Sequence, residues 1–262
     1  MNRTMKLKSP LALAAAIFTT VMAAPAWALT VVPPAYAGVE GYVGNNASAA
    51  PAMLFEQDRT SETQYAAAQL TGIGVGSQIT GLYWRMNGGG TTGPSAAMNF
   101  SDFEITLAQA ANTITNMSGT FANNLLNPVL VRDGALTISQ NSFPGGATPN
   151  AFGPFIQFQT PYTYLGGDLV MLVSHTGEPT ISVTVDGLTQ TTPGYGQDNT
   201  FRAIQASSFH ATSGNTLEPV PITAFETVPE PGSVLLLGTG LAGLMAWRWK
   251  KLSGKRVQET KL

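Results

Sequence analysis

Asp102-Phe103-Glu104-Ile105-Thr106-Leu107 decides the fold class. Phe103, Ile105 and Leu107 fall on one side of an extended chain, with Asp102, Glu104 and Thr106 on the other. This is the period-two pattern of a strand with one face in a core and one in water. Ile181-Ser182-Val183-Thr184-Val185-Asp186 repeats the alternation and runs into Asp186-Gly187, which reads as a turn. Residues 168–174 (DLVMLVS) are apolar throughout their middle, which predicts a strand covered on both faces. Gly166-Gly167 before that run and Gly177 after it leave little room for a helix.

Working outward, further strands are expected at 78–86, 113–117, 129–132, 135–139, 155–159, 200–205 and 222–225. Asn87-Gly88-Gly89-Gly90, Asp133-Gly134, Pro144-Gly145-Gly146 and Pro193-Gly194 carry turn chemistry between them. Asp133-Gly134, placed between two apolar runs, predicts a tight hairpin. Ser61-Glu62-Thr63-Gln64 has the form of a capping box and is followed by alanines, which predicts a short helix at 62–70, with a strand as the competing reading. Residues 212–221 read as a polar loop, and there is no internal repeat. Short strands separated by Gly, Pro and Asn turns make this an all-β chain, an antiparallel sandwich or jelly roll.

The ends of the chain are of a different character. Arg3, Lys6 and Lys8 precede a short apolar run at 11–24, then Ala26-Trp27-Ala28. That order is the plan of a secretory signal peptide over 1–28, with Ala26 and Ala28 as the signal-peptidase signal and Leu29 as the first mature residue. Between Leu29 and Val228 there are four arginines, no lysine and thirteen carboxylates, a net charge of −9 that the near-neutral whole chain conceals. Such a body repels phosphate backbones, so no nucleic-acid partner is expected. The chain has no cysteine. Thiolate metal sites and cysteine nucleophiles are therefore excluded, and an exported fold must rely on its apolar core.

Residues 228–251 read VPEPGSVLLLGTGLAGLMAWRWKK. Gly238, Gly240 and Gly243 match the glycine spacing of a dinucleotide loop, but the nineteen residues that follow cannot complete a βαβ unit. Residues 233–249 are uncharged until Arg248, which predicts a single membrane helix at the short end of the usual length. Trp247 and Trp249 would lie at the interface, with the basic end held in the cytoplasm. Val228-Pro229-Glu230-Pro231, the apolar span and the basic cluster together resemble the PEP-CTERM sorting signal.

The resemblance covers 228–262 and implies recognition by an integral-membrane exosortase. The helix and basic tail would then be removed, and the protein would pass from the inner membrane to the cell surface or extracellular matrix. It makes Pro229, Glu230 and Pro231 the recognition residues, and Arg248, Lys250 and Lys251 the stop-transfer cluster. A permanent anchor behind a proline linker is the alternative. Residues 79–85 (ITGLYWR) and 160–169 (TPYTYLGGDL) also resemble the secreted β-domains found ahead of such tails. The ectodomain then spans 29–227, and this second resemblance implies a fold and a location without implying a reaction.

Within that ectodomain, chemistry is sparse. His175 and His210 lack metal-ligand spacing, and there is no G-x-S-x-G elbow. Asp102, Glu104, Asp168 and Asp186 are the carboxylates that a glycosidase pair would draw on. Asp186 and Asp198 are candidate calcium ligands; no other cofactor is expected. Tyr162, Tyr164 and Tyr195 could stack on sugars or pack the core. The expected role is structural or adhesive, without catalysis. A carbohydrate-binding module acting on exopolysaccharide is the alternative, and a polysaccharide hydrolase, lacking any catalytic spacing, ranks below both.

Overall fold

The computed structural model describes residues 27–41, 51–178, 181–229, 240 and 243–245. In chain order the strands are β1 (Ala28–Val32), β2 (Arg59–Tyr65), β3 (Gln78–Trp84), β4 (Met98–Phe100), β5 (Phe103–Ala110), β6 (Leu125–Arg132) and β7 (Leu136–Ile138). They continue with β8 (Ile156–Thr163), β9 (Leu169–His175), β10 (Gly187–Leu188), β11 (Phe201–Ala206), β12 (Thr216–Leu217), β13 (Val220–Pro221) and β14 (Thr223–Val228). A four-stranded sheet has the order β1-β14-β3-β8, and a six-stranded sheet the order β12-β11-β2-β9-β5-β6. Short ribbons pair β4 with β7 and β10 with β13. All these strand pairings are antiparallel.

The two large sheets pack face to face as the expected sandwich. Alternation on β5 sends Phe103, Ile105 and Leu107 into the shared core, where they meet Trp84 and Leu82 of β3 and Phe225 of β14. The Trp84 and Phe103 rings lie 6.5 Å apart across the layers, and Tyr65 meets Phe225 edge-on at 6.4 Å. Polar ties join the sheets as well. Tyr65 OH of β2 lies 3.1 Å from Thr223 Oγ1 of β14 and donates to Pro221 O (2.6 Å), while within the four-stranded sheet Trp84 Nε1 donates to the same Thr223 oxygen (3.0 Å). Beside the edge strands β6 and β8, the Asp133 N–H donates to Gln159 Oε1 and Gln159 Nε2 to Asp133 O, each at 2.8 Å.

β9 is central and buried on both faces, as its continuous apolar run requires. Its outward Leu172 packs on a second small cluster built from Met117, Phe121 and Ile204. Segments carrying Met117 and Phe121 therefore roof the outer face of the six-stranded sheet.

Five local expectations need correction. The capping-box segment is strand β2, followed by a single 3-10 turn at Ala67–Gln69, because β2 is clamped between β11 and β9. Cross-strand pairing outweighs a local cap here. Residues 113–117 form a 3-10 turn at Ile114–Asn116 instead of a strand. Residues 181–186 are extended but join no sheet, with an isolated bridge between Val185 and Met86. Asp133-Gly134 makes no hairpin: β6 pairs with β5 and β7 with β4, so the chain changes layers there. The segment read as a polar loop at 212–221 contains β12 and β13, with Glu218 fully buried between them.

Candidate functional site

β1 and β14 bring the two ends of the described sandwich together. Ala28 pairs with Thr227 and Leu29 with Glu226, so the first strand begins beside the end of the last. Ala28 is thus the first residue of β1, and Pro229 follows β14 directly, half-buried. Ala26, Glu230, Pro231, Arg248, Lys250 and Lys251 lie outside the described residues. The expected membrane helix at 233–249 falls mostly outside them too. Gly240 and residues 243–245 are helical, with Leu244 and Met245 exposed, and no helix among the described residues is long and apolar enough to cross a membrane.

The carboxylates named from sequence go to three kinds of place. Asp186 is buried and accepts from Arg85 Nε at 2.8 Å and from the Gly41 N–H at 3.1 Å. It serves the fold at that position and does not face a loop end as a calcium ligand would. Asp168 accepts from the Ala67 N–H (2.9 Å) and Gln64 Nε2 (3.1 Å). Asp198 accepts from the Thr115 N–H and hydroxyl at 3.1 and 3.0 Å. Asp102 and Glu104 converge with Asp133, their carboxylate oxygens within 4.8 Å of one another, and Glu104 Oε1 lies 2.8 Å from His210 Nε2. This is a cluster at one sheet edge, whereas glycoside hydrolysis needs two carboxylates facing each other across a cleft.

His175 is buried, stacked on Phe103 at 5.5 Å with its Nδ1 2.9 Å from Thr176 O. Tyr162 and Tyr164 are buried, and the Tyr195 hydroxyl donates to Glu218 O (2.6 Å) with Ala203 O 2.9 Å away. The three tyrosines named from sequence therefore belong to packing. A solvent-facing aromatic pair is a different one, Tyr83 and Phe155, with centroids 5.0 Å apart and planes inclined by 31°. Burial, together with the nearby Glu226 carboxylate, raises the Tyr83 phenol. Close approach of Phe155 to Gly81, where a Cβ would come 2.2 Å from the ring, seats that pair on the sheet face.

Sequence reasoning missed the buried acids. Glu62 is fully buried on the outward side of β2, and Asn124 Nδ2 donates to it at 2.6 Å. Burial pushes its carboxyl up to about 8. Glu218 is buried at the inner edge and accepts from the Ser61 hydroxyl. The polar lettering of Arg59–Gln64 hid Glu62, and a polar loop reading hid Glu218, since nothing local signals a cover supplied by residues fifty or more positions away. Two surface depressions, one around Ser118, Gln205 and Asn215 and one around Asn87, Thr91 and Thr184, contain no ionisable side chain.

No curated protein and no solved structure is significantly similar to the chain. Residues 227–251 match the family described as the PEP-CTERM protein-sorting motif, beginning on the last pair of residues of β14. The chain therefore carries a PEP-CTERM sorting signal, the mark of an exported protein processed by exosortase at the membrane.

Proposed function

We propose that the sandwich is a structural or adhesive component of the cell surface or exopolysaccharide matrix, and that it acts without catalysis. The observation that carries this reading is the position of the sorting motif. The motif starts within β14 itself, and β14 is held by β1 and β3, so cleavage beyond it would release the sandwich intact. The state of the polar groups supports it. Asp186, Glu62 and Glu218 are all engaged inside the fold, and the two depressions offer no acid–base pair.

The test is peptide mass spectrometry of the C-terminus from cells and from medium, with and without active exosortase, followed by fractionation of the matrix. A C-terminus near Pro229 that requires exosortase, with the protein in the matrix and a mechanically weaker matrix when it is absent, is the expected result. An intact Leu262 in the inner membrane, or an unaltered matrix in its absence, would overturn the reading.

A second reading, carbohydrate binding, is favoured by the Tyr83–Phe155 pair beside Glu226. Aromatic faces next to a hydrogen-bonding acid are suited to stacking on a sugar ring. Titration of matrix polysaccharide against the native protein and Tyr83→Ala separates the two roles. Saturable binding lost in the variant selects the binding module, and no heat in either selects the structural role.

A further inference from the structure

We propose that the end of the sandwich from which both termini emerge rests on the lipid bilayer while the tail is attached, with Val75 and Leu165 at the lipid interface. The inference rests on the reading of residues 233–249 as a membrane segment and adds a surface and an orientation to it.

Pairing register defines this end. Ala28 lies beside Thr227, Val228 beside Gln78, and Gln78 beside Thr163. The start of β1, the end of β14, the start of β3 and the end of β8 therefore share one rim. Two loops project from it, residues 70–77 before β3 and 164–168 after β8. They are tied together by the Gly76 N–H donating to Tyr164 O (2.7 Å) and the Tyr164 N–H donating to Ser77 O (2.9 Å). Gly76, Gly166 and Gly167 hold positive φ angles of 87°, 85° and 79°, the left-handed turns that glycine permits.

These turns leave apolar side chains outside the core. Val75 is 72% exposed and Leu165 52% exposed, and a Cβ on Gly166 would come 3.2 Å from Val75 Cγ2, so the two loops present one apolar tip. Leu29, at the start of the mature chain, is also more than half exposed on the same rim. In a body of net charge −9, residues 70–78 and 160–167 contain no carboxylate and no base. The two acids near this end of the neighbouring sheet, Asp168 and Asp198, are bonded to Ala67 and Gln64 and to Thr115. The tips of the two loops are thus apolar and uncharged, the nearest carboxylates being Asp168 at the base of the second loop and Glu226 beside Leu29.

Chain length supplies the occupant. Only Pro229 to Gly232 separate β14 from the apolar span, and even fully extended they allow a stand-off of about 17 Å. A tether that short holds the loops at high local concentration against the interface, where weak apolar contacts suffice. With no lysine on the body, attraction to lipid depends on that tether.

The absence of cysteine makes the test direct. Full-length protein carrying Val75→Cys, Leu165→Cys or, at the opposite end, Val39→Cys is labelled with a polarity-sensitive fluorophore. It is then reconstituted into phosphatidylcholine–phosphatidylglycerol vesicles containing spin-labelled lipid. The labels at Val75 and Leu165 should be quenched about twofold or more beyond that at Val39, the interface reaching only about 5–10 Å into the headgroup layer. Failure of the protein to float with vesicles would sink the membrane reading and this inference together. Flotation with equal or absent quenching at both ends would sink this inference alone and leave the anchor intact.

Discussion

Arg85 and Asp186 form a sealed ion pair, Nε to Oδ2 at 2.8 Å, with both side chains at most 1% exposed. The remaining guanidinium donors reach Tyr36 O at 3.0 Å, Val39 O at 2.5 Å and Ala37 O at 3.3 Å. One arginine thereby fastens the segment after β1 to the end of β3, and Asp186 supplies the counter-charge. Asp186→Ala should lower stability by about 3–5 kcal/mol, because it strands a buried guanidinium. Arg85→Met with Asp186→Leu should recover a large part of that loss. Denaturant melts of the three proteins check this, and a single variant as stable as native would refute the claim that the pair is load-sharing.

Glu62 predicts an unusual pH dependence. Its carboxyl ionises at 4.5 in the ordinary case and at about 8 in the fold, because burial opposes the charge. Between those values the folded chain keeps a proton that the unfolded chain has lost, so stability falls as pH rises. The contribution is complete below about pH 4.5, erodes through the window and is absent above about 8, a loss on the order of a few kcal/mol. Glu62→Gln keeps an acceptor for Asn124 and removes the titration. Its melting temperature should vary less with pH than that of the native protein between pH 5 and 8; parallel curves would count against a buried neutral acid.

Thr223 offers a smaller test of a polar contact on the inner face of the four-stranded sheet. Its hydroxyl accepts from Trp84 Nε1 and lies 3.1 Å from Tyr65 OH, which retains its own bond to Pro221 O. Thr223→Val keeps the shape but leaves the indole N–H unsatisfied, at a cost of about 1–3 kcal/mol. Thr223→Ser should retain most of the stability. If valine and serine prove equivalent in calorimetry, the Trp84–Thr223 bond adds nothing to stability.

Local alternation identified the strands that face the core on one side, as at Phe103, Ile105 and Leu107, and the apolar run of β9 announced a doubly buried centre. It failed where neighbours distant in sequence set the environment. Thr63 and Glu62 look like the start of a helix because their burial comes from β11, β9 and a roof around Asn124. Ile181–Asp186 alternates as β5 does, yet its backbone bonds scatter over Leu54, Arg85 and Asn87, and it makes an isolated bridge to Met86 without joining a sheet. The sorting signal was legible because it is a linear order of residues read by a partner, with no tertiary context to supply. The Asp102–Glu104–Asp133 cluster and the Tyr83–Phe155 pair were not, since each unites side chains that only the sheet register brings together.

The sorting motif should be separable from the fold. Pro229 follows the last paired residue of β14 and makes no strand bond, so Pro229→Ala should leave the melting temperature of the protein unchanged. Its effect should fall on processing instead. A Pro-x-Pro sequence disfavours pairing with a neighbouring strand and favours an extended chain, the form a protease grips. Pro229→Ala, and Glu230→Gln, should therefore accumulate precursor with Leu262 intact in the membrane fraction. Pulse-chase labelling followed by C-terminal mass spectrometry reads both quantities on the same samples. Unaltered release would remove these two residues from recognition, whereas slowed release with a lowered melting temperature would show that the motif also belongs to the sandwich.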